Sequence, residues 1–211
     1  MTMNKEKRAY MCDVSTRADE KHGNVLEGVP IVYNAETDIG GMWREIIDRG
    51  ALDEADLKDV RFLVNHDIDS IPLARSRNNN ENSTMQMTVE EDGLHVRVDL
   101  DTEGNPKAKE LYSAIKRQDI SGMSFMFSVK ADSWDDLDSD YPTRHITALD
   151  KVFEVSAVTF PAYEQTSINA RSVETGKASL ESAKEALENA KRRAAKIKEL
   201  NERLNGGNNN E

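Results

Sequence analysis

Three apolar runs constrain this chain more than any other feature: Phe62-Leu-Val-Asn-His-Asp67, Ile120-Ser-Gly-Met-Ser-Phe-Met-Phe127 and Val152-Phe-Glu-Val-Ser-Ala-Val-Thr-Phe160. Each is rich in β-branched or aromatic residues and far too short to cross a bilayer, so each reads as a buried strand. Polar residues interrupt them, and a polar group inside a buried strand needs a partner. His66 closes the first run, where on its own it fits a satisfied core histidine as well as a base. Ser121 and Ser124 flank Gly122 in the second. A serine hydroxyl is a weak nucleophile until a neighbouring base takes its proton, and a near-neutral imidazole can both accept that proton and deliver it to a leaving amine. Glu154, enclosed by Val152, Phe153, Val155 and Val158, is a candidate to orient the imidazole. A strand with one wet face, in which Glu154 and Ser156 point to water, is the competing reading of the third run.

Composition narrows the classes. The 211 residues are 37% hydrophobic, enough for one core with an appendage. A formal charge of −11 argues against binding nucleic acid, which needs a basic surface. The single cysteine, Cys12, cannot form an internal disulfide, in keeping with a reducing cytoplasm. Neither a membrane span nor a signal peptide is legible. The histidines lack the helical spacing of zinc ligands, and the acidic stretch Asp132–Asp140 lacks the glycine and closing glutamate of a calcium loop, so neither metal nor cofactor is expected.

Ser83–Glu90 and Leu94–Leu100 alternate as a hairpin around Glu91-Asp-Gly93, with His95 on the solvent face. Asn105–Lys116 has helical spacing at Ala108, Leu111, Tyr112 and Ile115 with Pro106 in its first turn, and is expected beside the Ser124 strand. Asp132–Asp140 reads as a surface loop. From Lys177 the chain changes character. Leu180, Ala183, Leu187, Ala190, Ala194, Ile197 and Leu204 form a heptad stripe thinned by alanine, and residues 177–204 hold eight Lys and Arg against five Glu. Residues 205–211 read as a disordered terminus.

Six segments in order resemble the prohead maturation proteases of tailed bacteriophages: Leu26–Asn34, Trp43–Ala51, Val64–Asp67 with Pro72–Arg75, Gly93–Val98, Ile120–Phe125 and Glu154–Ala162. The resemblance covers about residues 8 to 165. It implies an α+β fold related to the herpesvirus assemblins: a closed, mostly antiparallel β-barrel surrounded by helices over residues 8–168, followed here by a basic helical extension over 169–211. It also implies a serine endopeptidase that cleaves a scaffold or capsid precursor, and itself, in the assembling procapsid within the host cytoplasm. Carried over by motif, His66 matches the base, Ser124 the nucleophile and Glu154 the third member. Asp150 and His145 stay open for that third place, and Ser121 for the nucleophile. Met126 stands where a glycine is common in the family. Arg75 is a candidate oxyanion donor, and Ala114 and Ala131 mark possible self-cleavage points. The resemblance further implies a possible homodimer and a tail helix that docks to scaffold helices or is trimmed. A non-catalytic capsid assembly or scaffold protein that keeps the barrel only for binding is the alternative.

Overall fold

The structure, a computed structural model, describes residues 5–11, 14–19, 23–159 and 170–206. Among the described residues eleven strands and two α-helices follow one another: β1 (Glu6–Met11), β2 (Ser15–Asp19), β3 (Gly23–Val32), β4 (Thr37–Ile39), β5 (Trp43–Ile47), β6 (Arg61–Val64), β7 (Ala74–Arg75), β8 (Met85–Val89), β9 (Gly93–Leu100), α1 (Pro106–Lys116), β10 (Gly122–Asp135), β11 (Thr143–Val158) and α2 (Ala170–Gly206). One 3₁₀ turn, Arg77–Asn79, separates β7 from β8.

The fold is α+β, but the strands do not close into a single barrel. They form a seven-stranded sheet in the order β1-β10-β11-β5-β4, with β6 and β7 branching from β11, and a four-stranded sheet in the order β2-β3-β9-β8. Closure requires every edge strand to find a ladder. Here the sheets approach through isolated backbone bonds, Asn34 N–H to Ile47 O at 2.9 Å and Thr84 N–H to Arg75 O at 3.1 Å. The β3–β9 register breaks between Gly28 and Ile31, where Pro30 has no N–H to offer and the strand bends away. Nor is the body ringed by helices, since α1 and α2 are the only α-helices among the described residues.

The sheets share one core. Leu26 and Ile31 of β3 and Leu94, Val96 and Val98 of β9 meet Phe125 and Phe127 of β10 and Val152, Val155 and Ala157 of β11. Phe125 and Phe127 stack with centroids 4.9 Å apart. The hairpin around Glu91-Asp-Gly93 forms as expected, β8 antiparallel to β9. His95 lies on the outer face but is half-buried, held by Asp92 at 2.7 Å. Helix α1 is capped by Asn105, whose side chain accepts from Lys107 N–H, and buries Ala108, Leu111 and Ile115. It packs on β2 and β9 rather than beside the Ser124 strand, because Gln118 turns the chain with φ +65° before β10 begins. The acidic stretch is not wholly a loop: Asp132–Asp135 completes β10, and Asp132 pairs with Arg144 at 2.7 Å.

At one end of the core face a charged cluster replaces apolar packing. Arg8 binds Glu6 at 2.6 Å and Glu45 at 2.7 Å, and Arg144 binds Glu6, Glu45 and Asp132. Three carboxylates and two guanidiniums thus satisfy one another, which is the condition for burying charge. Burial raises the Glu45 carboxyl pKa, but Arg8 and Arg144 outweigh it and hold the group below its ordinary value. Helix α2 docks nearby. Gly176 lies against Trp43, where a Cβ would come within 2.4 Å of the indole. Ser179 accepts from Trp134 Nε1 at 2.9 Å and donates to Asp132 at 2.8 Å. Along the heptad stripe Leu180, Ala183 and Leu187 are half-buried, whereas Ala190, Ala194 and Ile197 are exposed. The expected division at residue 168 falls among residues 160–169, outside the described residues, as do Cys12, His22 and the terminal residues 207–211. No helix among the described residues is long and apolar enough to cross a membrane.

Candidate active site

Strand β11 is the axis of the site. It pairs antiparallel with β10, setting Ser124 opposite Ser156, and parallel with β6, setting Ser156 beside Leu63 and Ala157 beside Val64. Side chains alternate along a strand. With Val155 and Ala157 turned into the core, Glu154 and Ser156 project from the opposite face, the face that Ser124 shares. His66 reaches the same face from the end of β6. Asn65 and His66 both take left-handed backbone, φ +51° and +58°, a conformation that Asn and His adopt more readily than most residues. Two clamps hold this turn, one from β11 and one from Thr159 just past its end. His66 N–H donates to Ser156 Oγ at 3.1 Å, while Asn65 Oδ1 accepts from Thr159 N–H at 2.9 Å and Asn65 Nδ2 donates to Thr159 Oγ1 at 3.0 Å.

The result is a continuous polar chain. Ser124 Oγ lies 2.5 Å from His66 Nε2, His66 Nδ1 contacts Glu154 Oε1, and Glu154 Oε2 accepts from Ser156 Oγ at 2.5 Å. Ser124 and Ser156 are fully buried, Glu154 is 2% exposed, and the His66 side chain is 17% exposed. Ser124 Oγ also lies 2.6 Å from the Arg8 carbonyl of β1, so its single proton has two acceptors in reach. An imidazole between a hydroxyl and a carboxylate can move a proton from the first while the second stabilises the cation that forms.

Glu154 and Ser156 therefore point into this network and not to water. The other candidates lie elsewhere. His145 is bound to Asp48 at 2.8 Å, Asp150 accepts from Ser128 at 3.0 Å, and Ser121 is exposed ahead of β10. Arg75 pairs with the surface carboxylate Asp59 and so is not directed at Ser124. Met126 continues β10, opposite Glu154 and one residue before a register shift. Neither Asp67 nor Asp69 joins His66 as a metal ligand set, and the cluster Glu90, Asp92 and His95 lies at the surface. Sequence reasoning missed Ser156 as a partner; its spacing of two from Glu154 was the available signal, since it fixes both side chains on one face.

A cleft of about 430 Å³ adjoins the turn that carries His66. Its floor is Leu63, Leu73, Leu111 and Ile120, and Asp67, Ser70 and Lys107 stand at its edge. Ser70 donates to Asp67 and lies 3.4 Å from Lys107 Nζ. The Ser70 hydrogen bond holds the Asp67 carboxyl below the usual carboxylate range.

No curated protein sequence matches this chain. Among solved structures, the capsid assembly protease gp21 of bacteriophage T4 aligns with 74% of this chain and 99% of its own, at 15% identity and a TM-score of 0.42. The family model of the caudovirus prohead serine proteases matches residues 12–179, a span that holds the whole Ser124–His66–Glu154 chain and the first turns of α2, and this chain belongs to that family.

Proposed function

We propose that this protease cleaves the scaffold or capsid precursor, and its own chain, inside the assembling procapsid, with Ser124 as nucleophile, His66 as general base and Glu154 as the group that orients the imidazole. The observation that carries it is the unbroken contact from Ser124 Oγ through both His66 nitrogens to Glu154. Because Ser124 has no exposed surface, the reaction begins with a local opening that brings a peptide carbonyl over Oγ in place of the Arg8 carbonyl. Oγ then attacks the carbonyl carbon while its proton passes to His66 Nε2. The C–N bond breaks as that proton moves to the leaving amine, and a water deprotonated by His66 releases the acyl group. Glu154 accepts from Nδ1–H throughout, and Ser156 holds the second carboxylate oxygen. We assign residues 169 onward to an appendage that docks to scaffold helices or is trimmed; the exposed half of α2 supports that role.

Co-expression with the matching scaffold or capsid precursor tests the assignment by intact mass of every chain. Wild type should trim its partner and itself, and His66→Ala and Ser124→Ala should leave all chains full length. Intact chains in all three, where shells assemble, would instead indicate a non-catalytic assembly protein.

A further inference from the structure

Resting on the assignment of α2 as a docking appendage, we infer that its free half is one helix of a coiled coil with an acidic partner helix, one that carries Glu or Asp along its contact edges and large aliphatic residues in its seam. Helix α2 runs for 37 residues. The body half-covers its heptad stripe at Leu180, Ala183 and Leu187 and leaves it bare at Ala190, Ala194 and Ile197, the last with 59% of its surface exposed. The bare stretch therefore continues a face that already serves as a contact surface.

The charges beside the stripe identify what can cover it. In heptad terms Leu187 and Ala194 occupy position a and Ala190 and Ile197 position d, which puts Lys191 and Lys198 at e and Arg193 at g. Residues at e and g border the seam, so their charges choose the partner. All three are basic, within a stretch, 190–204, that holds six Lys and Arg against two Glu. A second copy of α2 is a poor fit in either direction. Parallel pairing sets Arg193 of one copy against Lys198 of the other and alanine against alanine in the seam, which leaves it hollow; antiparallel pairing sets lysine against lysine. Acidic residues at the edges and leucine-sized residues in the seam correct both faults. The body supplies one instance of the first, since Asp138 pairs with Lys191 at 3.2 Å. Nucleic acid would use the positive charge but not the stripe, because a phosphate backbone offers nothing apolar to bury Ile197 against, and the formal charge of −11 on the whole chain opposes a polyanion.

The test titrates full-length Ser124→Ala protein, whose own site cannot trim α2, with labelled synthetic helical peptides that carry Leu at a and d and either Glu or Lys at e and g, and with a short DNA duplex. The Glu peptide should bind at least about 10-fold more tightly than the Lys peptide, as a few exposed ion pairs allow. Its binding should weaken with salt and slow amide exchange over residues 190–199. Ile197→Asp, at an exposed position, should abolish that binding, and Arg193→Glu combined with Lys198→Glu should reverse the preference between the peptides. Arg192→Glu makes the same charge change on the outer face of the helix and should leave the preference within about twofold. Equal affinity for both peptides, tighter binding of the duplex that is indifferent to Ile197→Asp, or a dimer of the protein itself that Ile197→Asp dissolves would each overturn the inference. Co-purification of the matching scaffold with the same protein reads the docking role separately. A scaffold retained without any binding of the Glu peptide keeps that role and overturns the acidic helix; a scaffold left behind while the Glu peptide binds removes the scaffold as partner and upholds the acidic helix.

Discussion

Replacing Ser156 by alanine tests whether the turn carrying His66 is held in register from β11. The substitution removes two contacts: the Ser156 Oγ–H bond to Glu154 Oε2 at 2.5 Å and the acceptor for His66 N–H at 3.1 Å. A hydrogen bond to a charged group contributes about 1.5–3 kcal/mol and a neutral one about 0.5–1.5 kcal/mol. The first orients Glu154 and the second ties down the turn, whose left-handed residues cost roughly 1–3 kcal/mol each; with only the Asn65–Thr159 clamp left, His66 relaxes in part. A displacement of about 1 Å in such a group lowers the chemical rate roughly 100-fold, and partial relaxation gives an expected fall in kcat of about 10- to 100-fold, or about 1.4–2.7 kcal/mol of barrier. Ser156 is fully buried and touches no substrate, so KM should stay unchanged. Steady-state cleavage of a cut-site peptide separates the two parameters. A kcat within twofold of wild type, in a protein that still unfolds cooperatively, would refute the positioning role; so would a loss confined to KM.

Three further outcomes follow from the charged cluster and the docked helix. Arg144→Met leaves Glu6 and Glu45 to Arg8 alone and takes the guanidinium from Asp132, and an uncompensated buried charge of this kind should lower stability to urea by about 3–5 kcal/mol; a loss under 1 kcal/mol would mean that water reaches the cluster. The same cluster gives an acid dependence. The Glu45 pKa is lower folded than its ordinary 4.5, so its contribution is complete above about pH 4.5 and is lost as pH falls through the lower folded value. Urea midpoints should therefore be flat above about pH 5 and drop below about 4.5, and a midpoint that rises on acidification contradicts the assigned pairing. Gly176→Val drives a methyl group into the Trp43 ring. Helix α2 should then leave the body, seen as faster tryptic cleavage at Lys177 and Lys184 and a red shift in fluorescence from the two tryptophans, which pack edge to face at 5.7 Å; protection equal to wild type would place the docking energy elsewhere.

The contacts of the site follow from periodicity and burial, which a sequence carries openly. Ser124, Glu154 and Ser156 are polar residues in apolar runs, and each ended fully or almost fully buried with partners, as the cost of burying an unpaired polar group requires. The hairpin β8–β9 and the helix α1 were legible for the same reason: alternation of two and spacing of three or four respond to a single nearby surface. What pairs with what is a different kind of quantity. Glu154 lies 88 residues from His66 in sequence, and Asp150, only four residues away from Glu154, has the same chemistry and a comparable setting. Only the parallel pairing of β6 with residues Glu154–Ala157 decides between them.

The division into two sheets and the charged cluster were illegible for a related reason. Barrel closure depends on which edge strands meet, and the deciding events here are small: one proline in β3 without a donor, and a β4 of three residues that leaves an edge rather than a ladder. The cluster inverts the usual rule that Glu and Arg lie outside. Glu6, Arg8, Glu45 and Arg144 sit in strands with ordinary alternation, and each alone reads as a solvated residue; their burial is tolerable only because β1, β5 and β11 bring them together at one end of the core, where α2 also docks. Glu45, whose partners Arg8 and Arg144 lie 37 and 99 residues away, leaves no local trace, and its energetic sign changes with the arrival of each partner. Substitutions in this cluster should for that reason couple strongly, so that Arg8→Met combined with Glu45→Met costs less than the sum of the two single changes, whereas Ser156→Ala, outside the cluster, should add to either.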